Sequence, residues 1–266
     1  MTLVNVLYDK NDKDQYEIIH DLFCKFTLGI NKHTSAHAAR FELGRFPMYI
    51  KIFISCIKYW YRMEKSLNNN MFLMCAYNVC KRENQSWFKG LSYLLNSIGC
   101  GNLLHTNMSI KKIIKIVKLR LQDQYLQIWK NKCSEDSNLS VLDSLKTELS
   151  ISNILVTETN LKNRSNLIKF RQGTLVKKFG TDNIVCPFCK SCLNCSTSYH
   201  ILHDCIKVKD LSLNLLLFLK TNVRNFNFKS KNEQLLFILK CEGNNTVTNR
   251  IVKFINLLFE RLSSVG

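Results

Sequence analysis

The chain has 266 residues, enough for one large or two small domains with a substantial core. Its hydrophobic fraction of 46% excludes general disorder, and its 38 basic against 20 acidic residues give a net charge of +18. This excess favours a polyanionic partner, nucleic acid first and an anionic membrane surface second; a soluble basic protein from an AT-rich genome would also be rich in Lys and Asn.

The sequence carries no signal for secretion or membrane insertion. The first residues, MTLVNVLYDKNDKDQ, lack the basic start and apolar core of a signal peptide. Apolar runs such as Leu215–Leu219 are too short to span a bilayer. We therefore expect an intracellular protein in a reducing compartment, either nucleus or cytoplasm, with reduced cysteines and no membrane partner.

Helical periodicity dominates the chain, and only 2 prolines and 9 glycines interrupt it. The N-terminal pattern predicts these helices: Asp14–Leu28, Met48–Lys65 with Pro47 at its start, a segment from the Asn68–Asn70 break to Lys81, and a segment capped by Ser86 that ends before Gly99. The longest predicted helix follows Ser109, and Cys133–Asn138 is predicted to be a polar linker. The C-terminal pattern predicts these helices: Val141–Leu149, Leu161–Phe170, Val208–Lys220, Lys231–Lys240 and Val247–Leu262.

The helix after Ser109 has an apolar face and a basic face. Lys111, Lys115 and Lys118 recur at i, i+4 and i+7, away from the apolar stripe. This basic face could lie along a phosphate backbone, and it could equally serve to solvate an exposed helix. Further candidate phosphate contacts occur between this helix and the cysteine-rich stretch: Lys169, Arg171, Lys177 and Lys178.

The stretch CPFCKSCLNCSTSYHILHDC concentrates thiols and imidazoles: Cys186, Cys189, Cys192, Cys195, His200, His203 and Cys205. Zinc prefers four such ligands in a tetrahedron, and structural sites usually take them as two pairs. Cys186 and Cys189 form a CxxC pair that a tight turn can present to one ion. For the second pair we choose His200 and Cys205, because YHILHDC is typical of a short helix after a polar loop.

Other donors and other cofactors are the alternatives to this zinc site. Cys192, Cys195 and His203 are spare candidate ligands. A disulfide framework needs an oxidising compartment, which nothing in the sequence indicates. The repeated CxxC is also similar to an iron–sulfur run, but the ferredoxin pattern differs after the third cysteine and ends in Cys-Pro. The sequence therefore predicts a structural zinc.

The fold class predicted from these patterns is mainly α. Alternation of Val, Ile and Thr is too short to require a large sheet. We expect an irregular multi-helix array with a small zinc-binding segment near the C-terminus, including a small hairpin at the zinc. The expected organisation is an N-terminal helical region (1–132), a basic helical connector (139–182), a zinc-binding segment (183–207) and C-terminal helices (208–266).

Several stretches of the chain occur together in one order: FCKFTLGINK from Phe23, FELGRFPMYI from Phe41, KYWYR from Lys58, SWFKGLSYLLNSIGCGN, KLRLQDQYLQIW, LIKFRQG and CPFC…YHILHDC. In this order, and over nearly its whole length, the chain resembles the C-terminal portion of invertebrate non-LTR (LINE-type) retrotransposon proteins, downstream of the reverse transcriptase. The resemblance implies the tail of a mobile-element protein, truncated or encoded separately, with a reverse transcriptase as a potential partner.

The resemblance also implies a ligand set for the metal. In that family the last motif is similar to a reverse-transcriptase zinc-binding segment: CxxC, a loop, then His-x4-Cys. Carried over to this chain, these residues are Cys186, Cys189, His200 and Cys205. The chain departs from the family pattern in having Ser-Thr-Ser where acidic residues usually precede the Tyr-His pair, and in having two additional cysteines in the loop.

The sequence lacks the motifs of several enzyme classes. It has no Asp-Asp pair to hold the two metal ions of a polymerase, and no P-loop, dinucleotide glycine motif, HExxH or GxSxG. We therefore expect no catalytic activity from this chain alone. The leading hypothesis is a zinc-stabilised helical module that binds RNA or DNA electrostatically. The alternative is a helical protein-interaction scaffold, derived from a mobile element, with a purely structural zinc.

Overall fold

A computed structural model of the chain describes residues 10–32, 34–66, 70–82, 87–146, 148–152, 155–156, 158, 160–173, 175, 185–191 and 195–265. The fold over these residues is mainly helical, which confirms the fold class predicted from the periodicity. The described chain forms two compact units. The first contains residues from 10–23 and 46–128, and the second contains residues from 24–45 and 129–265.

Twelve α-helices are described, in chain order: α1 (Lys10–Leu28), α2 (Ala36–Glu42), α3 (Met48–Ser66), α4 (Met71–Arg82), α5 (Trp87–Ser97), α6 (Ile110–Glu135), α7 (Ser137–Asp143), α8 (Leu161–Arg171), α9 (Thr197–His203), α10 (Lys209–Asn222), α11 (Lys231–Lys240) and α12 (Asn245–Val265). Short 3-10 turns cover Gly101–His105, Ile206–Val208 and Phe226–Phe228. An isolated antiparallel bridge joins Leu43 to Ile151.

The core of the first unit is built from the apolar faces of α3, α5 and α6. Their buried side chains recur three or four residues apart, as helix packing requires: Ile50, Phe53, Ile57 and Trp60 on α3, Leu91 and Leu95 on α5, and Ile113, Val117 and Leu121 on α6. The buried indole of Trp60 donates a hydrogen bond to the hydroxyl of Tyr77 on α4, 3.0 Å away. This bond satisfies two polar groups that burial would otherwise leave without water.

Local capping fixes where helices of the first unit begin and end. The side chain of Asn70 accepts the N–H of Leu73 at 3.1 Å and so caps α4. Gly99 adopts a left-handed φ of +68° after α5, a conformation that glycine tolerates without strain. The predicted cap Ser86 and the residues Asn68 and Asn69 lie outside the described residues.

The core of the second unit is formed by helices from both ends of the chain. α12 packs against α8 and α10, and α9 packs against α10 and α11. Buried side chains of this core include these: Phe41, Trp129, Leu142, Leu167, Phe170, Ile201, Leu202, Leu215, Leu219, Phe226, Ile238, Ile251 and Leu258. Cys186, Ile201 and Cys205 are also buried in this core, so the cysteine-rich stretch is part of it.

A buried ion pair joins α2 to α8 within the second unit. Glu42 is 0% exposed, and its carboxylate accepts a hydrogen bond from Arg171 Nη1 at 3.1 Å and another from the Ser152 hydroxyl. Lys146 lies at the same end of α2, where its ammonium donates to the carbonyls of Phe41 and Ser150 at 2.7 Å. Burial lowers the pKa of Lys146 to about 8. These bonds hold the segment around residues 146–152 against the C-terminus of α2.

Two predicted element boundaries between α6 and α8 are wrong. The predicted linker Cys133–Asn138 is mostly helical, because Cys133 is buried in the core and α6 continues to Glu135. The side chain of Asp136 then accepts the N–H of Asn138 at 2.8 Å and starts α7 at once. The predicted helix Val141–Leu149 is correspondingly displaced, since α7 already ends at Asp143.

None of the helices in the described ranges is both long enough and apolar enough to cross a membrane.

Removing one partner of the Glu42–Arg171 pair should be costly, because the other charge would stay buried without a counter-ion. We expect Arg171→Met to lower the free energy of unfolding by about 3–5 kcal/mol. The double variant Glu42→Gln/Arg171→Met should lose less than the sum of the two single variants. Urea denaturation of the wild type, both single variants and the double variant measures these differences.

The exposed bidentate pair of Arg261 with Asp210 is a matched control for this experiment. Its side chains are 36% and 60% exposed, with nitrogen–oxygen distances of 2.7 Å. Arg261→Met should therefore cost less than about 1 kcal/mol. Equal losses for Arg171→Met and Arg261→Met would contradict the role that we assign to the buried pair.

Candidate metal centre

The first donor pair lies in a tight turn over residues 185–191. The N–H of Cys186 donates to the carbonyl of Ser191 at 2.9 Å, and the N–H of Lys190 donates to the carbonyl of Cys186 at 3.0 Å. Lys190 adopts a left-handed φ of +62°, which closes the turn. Phe188 is buried in the core of the second unit. This anchored turn points the thiols of Cys186 and Cys189 to the same place.

The second donor pair is presented by α9. Ser196 caps this helix by accepting the N–H of Tyr199 at 3.3 Å, and Ile201 and Leu202 bury its apolar side. The N–H of Cys205 donates to the carbonyl of His200 at 2.8 Å just after the helix ends. This bond brings the Cys205 thiol back alongside the His200 ring.

Four donor atoms from these two segments converge. The thiols of Cys186, Cys189 and Cys205 and a ring nitrogen of His200 all lie within 4.8 Å of one another. Cys186 Sγ is 3.8 Å from Cys205 Sγ, and Cys189 Sγ is 3.2 Å from His200 Nε2. A tetrahedral ion with metal–sulfur bonds of about 2.3 Å separates two sulfur ligands by about 3.8 Å. The arrangement therefore fits a metal ion.

The same sulfur–sulfur distance excludes a disulfide, whose bond is about 2.0 Å long. Burial raises the pKa of the Cys186 thiol to about 12 and also raises the pKa of Cys205. Burial acts in the same direction on Cys189, but hydrogen bonding to Ser191 and His200 outweighs it and lowers the pKa of Cys189 to about 6. A metal would replace the protons on the two buried thiols.

The spare donors named from the sequence do not join this group within the described residues. The His203 ring nitrogen Nε2 is 3.0 Å from the carbonyl of Lys231, and the ring packs against Tyr199. Cys195 is described and lies outside the four-donor group. Cys192 lies outside the described residues.

A second group of potential metal ligands, which the sequence reasoning missed, lies on α1. Glu17, His20 and Asp21 have donor atoms within 4.8 Å of one another, and their Glu-x-x-His-Asp spacing on a helix is the signal that would have identified them. Glu17 Oε1 accepts the N–H of Tyr49 at 2.8 Å, at the first turn of α3. His20 Nδ1 is 3.7 Å from Glu17 Oε2. Glu17 is thus used to cap α3, and we assign no metal to this group.

The structure places the candidate phosphate contacts in different environments. Lys111, Lys115 and Lys118 are exposed on α6, in the first unit. Lys169 is half-buried on α8, with its ammonium 5.9 Å from the Phe259 ring centre. The expectation for Arg171 needs correction: it is 4% exposed and paired with Glu42, so its guanidinium cannot reach a phosphate. Lys177 and Lys178 lie outside the described residues.

Comparisons with known proteins give no assignment: no family model, curated protein or solved structure matches this chain.

The geometry predicts which substitutions remove a bound metal. Cys186→Ser, His200→Ala and Cys205→Ala should each lose most of the metal, because each leaves only three of four ligands. Cys195→Ser and His203→Ala are matched controls from the same stretch and should keep it. Elemental analysis of chains purified without added metal measures the content. Loss in Cys195→Ser with retention in His200→Ala would show that the ligand set is wrong.

Proposed function

We propose that the chain is a zinc-stabilised helical module that binds nucleic acid, similar to the C-terminal part of a retrotransposon reverse-transcriptase protein without its polymerase site. The observation that carries the proposal is the basic face of α6. Ile110–Arg120 holds five basic residues and no acidic one, and Lys111, Lys115 and Lys118 are exposed opposite the buried stripe. RNA or DNA would offer phosphates to this face.

The position of Lys111 and Lys112 argues against a role in stabilising the helix. The N-terminus of a helix carries a partial positive charge, and cations in the first turn cost about 0.3–1 kcal/mol each. The first turn of α6 has no acidic residue and contains Lys111 and Lys112. A phosphate bound there would interact favourably with both the lysines and the helix end. The arrangement is therefore better suited to anion binding than to folding.

Zinc is the metal that best suits the candidate centre. Three thiols and one imidazole form one of the ligand sets of structural zinc, and four protein donors leave no open position for a substrate. Zinc held there by Cys186, Cys189, His200 and Cys205 would cross-link the 185–191 turn to α9. We therefore assign it a structural and not a catalytic role, and we propose that the chain by itself is not an enzyme.

Zinc binding should release about two protons per ion between pH 7 and pH 8. In the metal-free fold Cys186 and Cys205 are protonated because burial raises their pKa, whereas Cys189, with a pKa of about 6, is already a thiolate. Calorimetric titration with zinc in buffers of different ionisation enthalpy counts the protons. Release of about three protons would mean that the donors are not prearranged without metal.

A helical protein-interaction scaffold is the second candidate function, and α1 favours it. Tyr16, Ile19 and Phe23, all in the first unit, recur at spacings of three and four residues and are between 47% and 66% exposed. A stripe of this kind is the pattern with which helices pair. A reverse transcriptase would be one such partner. Affinity for nucleic acid that does not depend on salt, or no affinity at all, would favour this second function.

The salt dependence of binding tests the α6 face. The logarithm of the association constant should fall linearly with the logarithm of salt concentration. Lys111→Ala/Lys115→Ala/Lys118→Ala should reduce that slope by about 2.7 on duplex DNA, or about 2.1 on a single strand, if each lysine neutralises one phosphate. Fluorescence anisotropy with labelled RNA and DNA of one length measures the slope.

A second triple variant controls for net charge. Lys51, Lys58 and Lys65 are exposed on α3 in the same unit, so replacing them by Ala removes the same charge from another helix. The salt slope of this variant should differ from the wild-type slope by no more than the contribution of about one neutralised phosphate. Equal effects of the two triple variants would contradict a specific binding face on α6.

A further inference from the structure

The turn between α10 and α11 presents a phenylalanine to solvent on a fixed backbone. Asn225 adopts a left-handed φ of +63°, and a 3-10 turn follows over Phe226–Phe228. Phe226 is 1% exposed and packs edge-on against Phe237, with ring centres 5.5 Å apart. Phe228, two residues later, is 88% exposed. The buried ring therefore anchors the turn while the second ring stands in solvent.

Backbone hydrogen bonds hold this turn in place. The N–H of Phe226 donates to the carbonyl of Val223, and the N–H of Phe228 donates to the carbonyl of Asn225, both at 3.2 Å. α11 begins directly afterwards with a capping box, in which Ser230 and Glu233 bond to each other's backbone N–H. Phe228 thus lies between two hydrogen-bonded segments, so the backbone of the turn determines that its ring is exposed.

The surroundings of Phe228 are basic. The segment from Leu211 to Asn232 has no acidic residue and carries four basic ones: Lys220, Arg224, Lys229 and Lys231. Lys220, Arg224 and Lys231 are exposed. The nearest acidic residue along the chain, Glu233, is bonded to Ser230 at 2.7–2.8 Å. An exposed aromatic ring in a segment that carries basic and no acidic residues suits an anionic ligand that has π faces.

Direct contacts link this turn to the candidate metal centre. Lys231 Nζ is 3.5 Å from the carboxylate of Asp204, and the carbonyl of Lys231 is 3.0 Å from His203 Nε2. Both partners belong to the end of α9, between the ligands His200 and Cys205. The metal-binding segment therefore supports one end of the basic turn.

We propose that this turn binds single-stranded nucleic acid, with an unpaired base stacked on Phe228 and neighbouring phosphates bound by Arg224 and Lys220. Stacking needs a base whose face is open, which a single strand offers and the interior of a duplex does not. The inference rests on the proposed function and adds to it a single-strand site on a different unit from the α6 lysines. Asn225 and Asn227 beside the ring are exposed and polar, which suits a nucleic acid better than a lipid surface.

The test compares Phe228→Ala with Phe228→Trp and with Phe72→Ala. Phe72, on α4, is 82% exposed, so its substitution removes an equally exposed ring from elsewhere. Phe228→Ala should weaken binding of a single strand by about 5- to 100-fold. Phe228→Trp should retain or tighten binding, and Phe72→Ala should leave it unchanged. A blunt duplex of the same length should bind Phe228→Ala and wild type equally well.

The salt slope separates stacking from charge. Phe228→Ala removes no charge, so it should lower affinity by the same factor at every salt concentration and keep the wild-type slope. Arg224→Ala should instead reduce the slope on a single strand by about 0.7. Metal content should be unchanged in both variants, because neither residue touches the four donors.

The outcomes distinguish this inference from the proposed function. Salt-dependent binding by wild type that Phe228→Ala leaves intact would overturn the single-strand site alone. Absence of any wild-type binding to RNA or DNA would overturn both. An equal loss on duplex and single strand would also overturn the stacking role. If Phe228→Ala instead loses only binding to vesicles containing phosphatidylserine, the ring contacts a membrane surface and the inference is wrong.

Discussion

The convergence of four donors from two separate segments is the constraint on which the second unit depends. The turn over residues 185–191 contributes two thiols, and α9 with the residue pair after it contributes an imidazole and a third thiol. Neither segment has much regular structure of its own, because α9 spans only seven residues and the turn over 185–191 is no longer. Their buried residues Phe188, Ile201 and Leu202 give them an apolar anchor in the core. A metal would add the cross-link that such short segments need.

Ion pairs within the described residues compensate part of the positive charge of the chain. Arg171 is neutralised by Glu42 in the interior, and Arg261 by Asp210 at the surface. By contrast, the basic segments of α6 and of the turn after α10 carry no acidic residue of their own. Cations at a helix N-terminus and in the exposed turn after α10, where Asp204 pairs with Lys231, contribute little to stability. Their placement supports our proposal that the chain binds a polyanionic ligand.

Contacts through α9 connect the candidate metal centre with the turn that carries the proposed single-strand site. His203 and Asp204 lie between two of the donors and contact Lys231 at the start of α11. The orientation of α9 thus affects both the donors on one side and the basic turn on the other. The α6 face belongs to the first unit. A structural zinc at the candidate centre would thus hold α9 in place beside the binding turn without catalysing a reaction.

The sequence by itself determined the helices and the donor stretch, because both depend on neighbours within one or two turns. The 3-4-3 spacing of α3 and the CxxC pair are visible without any tertiary contact. The tertiary structure decided what depends on distant partners. The sequence predicts Arg171 to be an exposed cation. In the structure it is buried and paired with Glu42, 129 residues earlier in the chain. Phe226 and Phe228 have the same side chain, and only packing against Phe237 buries the first and leaves the second exposed.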